Sequence, residues 1–100
     1  MVGAIDIGGT KTIVALVQED GTIVASERFP TCRAHCEAHL DACCEALQRL
    51  LCGRGLDVWC LSGIGATVPG IVDEKGQKLV HCAYPDWNRK PIGHMLGGRM

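Results

Sequence analysis

The sequence predicts an α/β layer, a mixed sheet with one helix packed on it, and three observations carry that expectation. Three β-type runs come first, Val2–Ile7, Ile13–Gln18 and Thr22–Phe29, with tight turns between them. One 3.6-periodic apolar stripe follows over 34–51, and another β-type run spans Val58–Thr67. Helix and strands in the order βββ-α-β, with a later β excursion, bury their apolar sides best as helix on sheet.

The opening run Val2–Ile7 is apolar except for Asp6. It ends in Gly8-Gly9-Thr10-Lys11, and a second β-type run starts at once. Glycines lacking Cβ let backbone N–H groups approach an anion, Lys11 adds a positive charge, and Thr10 adds a hydroxyl. An ionised Asp6 only accepts hydrogen bonds and suits magnesium held through water. Strand, turn and strand therefore read as a polyphosphate clamp. The turn is neither the common P-loop nor Gly-x-Gly-x-x-Gly. Because a strand follows it, a helix dipole is not its anion holder. The plain alternative is a hairpin turn that contains a lysine.

Glu19-Asp20-Gly21 between β-rich runs is a strong hairpin signal. Pro30 and Thr31 break the pattern before the helix, whose stripe is Cys36, Leu40, Cys43, Cys44, Leu47, Leu50 and Leu51. Glu37, Asp41, Glu45, Gln48 and Arg49 fall mostly on the opposite face, and Gly53 is the expected left-handed stop. Val58–Thr67 reads as one buried strand. Val68-Pro69-Gly70 turns into Ile71–Asp73, a polar turn leads to Lys78–Cys82, and Pro91–Met100 resembles the start of another helix.

Composition narrows the classes. The chain has 100 residues, 47% hydrophobic and 21% charged, with a net charge of −1. That is ordinary globular composition without a basic nucleic-acid surface. No signal peptide or membrane-length apolar run stands out, so a soluble, cytoplasmic protein is expected. The seven cysteines are odd in number and form no Cys-x-x-Cys pair. They read as reduced, mainly structural thiols. His35 and His39 lie four apart near Cys32, Cys36 and Cys43, which leaves a metal-binding helix as an alternative to packed or solvent-facing histidines.

Asp6-Ile-Gly-Gly-Thr-Lys11, a hairpin and helix, and then Gly63-Ile-Gly-Ala-Thr-Val-Pro-Gly-Ile-Val-Asp73 together resemble the ROK family of repressors and sugar kinases. The likeness is co-linear over nearly the whole chain. It implies a ribonuclease H-like, actin-like ATPase fold and ATP-dependent phosphorylation of a hexose between two lobes, with residues 1–100 an incomplete N-terminal lobe. By the same resemblance Asp6, Gly8, Gly9, Thr10 and Lys11 hold the nucleotide phosphate, with Asp6 reaching Mg²⁺ through water. The resemblance also implies that Pro69, Gly70, Ala83 and Tyr84 face the sugar; the plain alternatives are a type II turn at Pro69-Gly70 and a strand end at Ala83 and Tyr84. Tyr84-Pro85-Asp86-Trp87 departs from the family's Asn-Leu-x-Gly-Trp. The family's general-base Asp is expected beyond Met100, and its Glu-x-Gly-His and zinc motifs belong to a second domain, so zinc is not expected here. Three outcomes follow from the resemblance: a kinase lobe inactive alone, a repressor fragment, or a non-enzymatic truncated product. Only five residues precede Asp6, which counts against the DNA-binding domain of a repressor. Sugar and ATP are the expected partners in a homo-oligomeric parent, with no nucleic acid and no membrane.

Overall fold

A computed structural model describes residues 1–68, 70–72, 79–82, 85–87, 90 and 95–96. Strands β1 (Val2–Ile7), β2 (Lys11–Val17) and β3 (Ile23–Pro30) precede helix α1 (Cys36–Cys52). Strands β4 (Gly63–Thr67), β5 (Gly70–Val72) and β6 (Leu79–Cys82) follow it. The main sheet has the order β3-β2-β1-β4, and β5 and β6 form a separate hairpin. β1 pairs antiparallel with β2, β2 antiparallel with β3, and β1 parallel with β4.

Alternation along β1 and β2 gives the sheet two unlike faces. Ile5, Ile7, Val14 and Leu16 are buried on one face, where α1 brings Cys36, Leu40, Cys43, Leu47 and Leu51. The expected helix stripe is thus the core, with Leu50 partly buried at its margin. Each fully buried aliphatic side chain contributes about 1.5–3 kcal/mol, so this single layer contact carries most of the packing. Ala4, Asp6, Ile13 and Ala15 line the other face, a groove of about 520 Å³.

The thiol reading fits the layer: Cys36, Cys43 and Cys44 are buried and form no disulfide among the described residues. Burial and the neighbouring Cys44 and Cys36 push the Cys43 thiol up to about 12, so it is a protonated hydrophobe at neutral pH.

Two expectations need correction. Gly53 is not the left-handed stop; it has right-handed helical dihedrals, φ −62° and ψ −16°. The chain turns at Gly55, with φ +70°. There Leu56 N–H donates to Leu51 O at 2.9 Å and Gly55 N–H to Cys52 O at 3.0 Å. That is a Schellman closure, in which the left-handed residue comes only after the last carbonyls are satisfied. Nor is Val58–Thr67 one buried strand. Val58–Cys60 forms a 3₁₀ turn because the Asp57 carboxylate accepts the Trp59 N–H at 3.0 Å. Such a local cap competes directly with a ladder. Trp59 is 88% exposed. The strand is shortened to β4, where Gly63 and Gly65 have no side chain to bury and both are exposed.

Beyond β6, Pro85–Trp87 makes a second 3₁₀ turn that docks on the start of α1. Asp86 Oδ2 accepts the Cys36 N–H at 2.7 Å, and Trp87 is fully buried. The expected turn at 74–77 lies outside the described residues, as does all of 91–100 except the helical pair Met95–Leu96.

A candidate phosphate site

The turn between β1 and β2 brings Asp6, Gly8, Gly9, Thr10 and Lys11 together at one end of the sheet. Asp6, Gly9, Thr10 and Lys11 are exposed and Gly8 is half-buried. Gly8 N–H donates to Lys11 O at 2.9 Å, closing the turn. A Cβ on Gly8 would stand 2.8 Å from that same backbone oxygen, so glycine is required by a close approach.

Period-two alternation sends the Asp6 side chain to the face away from α1. There it meets a partner that sequence reasoning missed. The parallel register sets Asp6 beside Thr67, whose hydroxyl donates to Asp6 Oδ1 at 2.6 Å. Thr67 lies in the second motif, yet only knowledge that β1 and β4 are parallel neighbours could have joined the two. Among the described residues no ion pair links Asp6 to Lys11, so both charges face solvent.

Behind the turn lies a buried polar cluster that the sequence did not disclose. Thr31 N–H donates to Thr10 O at 3.0 Å, and the Thr31 hydroxyl donates to Gly8 O at 2.9 Å. Thr12 Oγ1 lies 2.8 Å from Thr31 Oγ1 and 2.7 Å from His39 Nε2. His39 Nδ1 accepts the Cys32 N–H at 3.2 Å. Its ring sits between Phe29 and Trp87, with centroids 5.5 and 5.6 Å away. Burial holds the imidazole below its ordinary pKa, because charging it would cost solvation. His39 is therefore a packed, hydrogen-bonded side chain. Among the described residues no group of three or more His, Cys, Asp or Glu could hold a metal.

The donor set at the turn suits magnesium of one kind only. A single exposed carboxylate, with one oxygen engaged by Thr67, fits an ion that keeps most of its waters and binds phosphate oxygens. A cage made wholly of protein ligands does not fit.

On the expected sugar side, Gly70 opens β5 opposite Cys82. Pro69, Ala83 and Tyr84 lie outside the described residues.

The four-stranded mixed sheet, with its glycine turn and one helix packed on it, has counterparts among known proteins. The ROK family model matches residues 2–100, and the chain belongs to the ROK family. N-acetyl-D-glucosamine kinase of Shigella flexneri is 30% identical over 95 residues, covering 95% of this chain and 30% of that protein. Glucokinase of Streptomyces coelicolor is 29% identical over 96 residues, 96% of this chain and 28% of that protein. The structure of a ROK family glucokinase from Streptomyces griseus in complex with glucose and AMPPNP superimposes with a TM-score of 0.83 at 27% identity. It covers 99% of this chain and 30% of that one. The chain thus spans about 30% of the length of the relatives it matches. No helix among the described residues is long and apolar enough to cross a membrane.

Proposed function

We propose that residues 1–100 form an incomplete N-terminal lobe that supplies the phosphate side, and part of the sugar side, of an ATP-dependent hexose kinase. The observation that carries this reading is the Gly8–Lys11 turn, held open to solvent beside the Asp6 carboxylate at the end of the parallel β1–β4 pair. The named activities of the relatives, on glucose and N-acetyl-D-glucosamine, support a hexose or N-acetylhexosamine as acceptor.

In the reaction a sugar hydroxyl oxygen bonds to the γ-phosphorus of ATP, the bridging β–γ bond breaks, and ADP leaves. The hydroxyl proton passes to a carboxylate from outside these residues. Lys11 balances phosphate charge, the Gly8–Gly9 backbone and the Thr10 hydroxyl position the group, and Asp6 anchors a hydrated cation. Magnesium, when bound, screens the charge that accumulates on the phosphate oxygens. Pro69, Gly70, Ala83 and Tyr84 are the residues this reading assigns to sugar contact. Positioning and neutralisation dominate this chemistry, so one lobe without its counterpart does not turn over. The complete protein is cytoplasmic and homo-oligomeric in this proposal.

The test is a chimera in which this chain replaces the matching portion of the Streptomyces griseus glucokinase. ATP-dependent glucose phosphorylation by the chimera, and none by this chain alone, is expected. Turnover by this chain alone would refute the division of labour, and a folded but inactive chimera would refute the phosphate role.

A further inference from the structure

The polarity of the cluster behind the glycine turn can be fixed from both ends. Cys32 N–H can only donate, so His39 Nδ1 is the acceptor and the neutral ring carries its proton on Nε2. From the other end, the single Thr31 hydroxyl proton goes to Gly8 O. Thr31 Oγ1 must then accept from Thr12, which gives its only proton to Thr31 and accepts from His39 Nε2. Both assignments agree. A one-way chain runs from Cys32 N–H through His39, Thr12 and Thr31 to the Gly8 carbonyl, and Thr12 and His39 are 0% and 2% exposed.

We propose that His39, Thr12 and Thr31 are positioning residues that set the geometry of the Gly8–Lys11 turn for anion binding. A peptide group is planar and trans, so its carbonyl and the following N–H point in opposite directions. Holding Gly8 O toward Thr31 therefore fixes the plane of the Gly8–Gly9 peptide within the turn. Thr31 also holds Thr10 O through its own N–H, which pins the turn at a second point. The chain reaches further: Trp87 packs on the His39 ring, and its indole N–H donates to Cys32 O at 3.3 Å. The segment after β6 and the phosphate turn are thus tied to the same imidazole. The inference rests on the phosphate reading above, but the geometry of the chain and its effect on the turn are measurable without it.

The experiment uses ¹⁵N-labelled chain under reductant, with Thr12→Val, Thr12→Ser, Thr31→Val and Thr31→Ser. Leu51→Val serves as a control that loosens the core at the far end of α1. Long-range ¹⁵N–¹H spectra should show His39 protonated on Nε2 alone. The valine variants should move the Gly8–Lys11 amide resonances and weaken binding of magnesium tripolyphosphate about tenfold. The serine variants should restore both, and Leu51→Val should leave both unchanged. An Nδ1-protonated ring, or valine variants with wild-type turn resonances and affinity, overturns the proposal. If tripolyphosphate leaves the wild-type turn unmoved while the valine variants still displace it, positioning stands and the phosphate reading falls.

Discussion

Strand β2 ends in two tight turns, and they are built on different principles. The one leading to β3 is closed by neighbours: Thr22 N–H donates to Asp20 Oδ1 and Gly21 N–H to Gln18 O, both at 2.9 Å. Everything it needs lies within five residues, and all of it is exposed or at the margin. The turn from β1 is instead secured from a distance, by part-buried Thr31, by Thr12 and His39 in the core and by Thr67 bonding the acid just before it. A connector needs only local turn chemistry. In its proposed role the first turn presents charged and backbone groups in one geometry, and that role calls for a supporting shell.

The largest effect expected is on turnover. In the chimera, Asp6→Ala should lower kcat by about 10²–10³, the scale of losing a preorganised electrostatic group. The sugar KM should change little. Full activity in that variant would remove Asp6 from the mechanism, whereas Asp20→Ala in the other turn should leave kcat untouched.

Next in size, His39→Leu leaves the Cys32 N–H and the Thr12 hydroxyl without their ring partner in the core. A loss of about 3 kcal/mol is expected in urea unfolding, from buried polar groups left unsatisfied. A change below about 1 kcal/mol would show that the cluster is not a structural unit. Gly8→Ala should cost about 2 kcal/mol, because its Cβ meets backbone rather than a movable side chain. Adding alanine elsewhere on the surface of the other turn carries no such contact.

The smallest effects are those of pH, and their signs separate the turns again. The folded pKa of His39 lies below its ordinary value, so below about pH 6.5 the unfolded chain takes up a proton that the folded one refuses. Its contribution is whole above that pH and declines as pH falls toward the folded value. Among the described residues the ring meets the Thr12 hydroxyl, Phe29, Trp87 and the Cys32 N–H, and burial is the cause of its lowered value. Asp20 is also held below its ordinary value, chiefly by the Thr22 N–H, but that stabilisation fades only as pH falls below about 3.8. Unfolding curves at pH 5 and 7 should therefore differ for wild type and converge for His39→Leu. Asp20→Ala should keep the wild-type difference.

Much of this contrast was written in local sequence and part of it was not. The first three strands and α1 follow from period and from turn residues, since each apolar stripe faces the same core. The groups of the glycine turn were legible because they are consecutive. Val58–Cys60 misled because Val-Trp-Cys has strand composition while the deciding atom is an Asp57 oxygen. Gly53 misled because a Schellman closure places its glycine after the last carbonyls, and two glycines competed for the role. Thr67, Thr31 and His39 were out of reach for a different reason. Their partners lie 61, 23 and 27 residues away, so only the register of β1 with β4 and the seat of α1 on the sheet bring them together.

The most direct measurement is amide shift mapping of magnesium AMPPNP on the chimera, comparing the two turns of β2. The account predicts saturable shifts at Gly8, Gly9, Thr10 and Lys11, lost in Lys11→Ala, with Glu19–Thr22 silent. Shifts absent from the first turn, or equal in both, would contradict it.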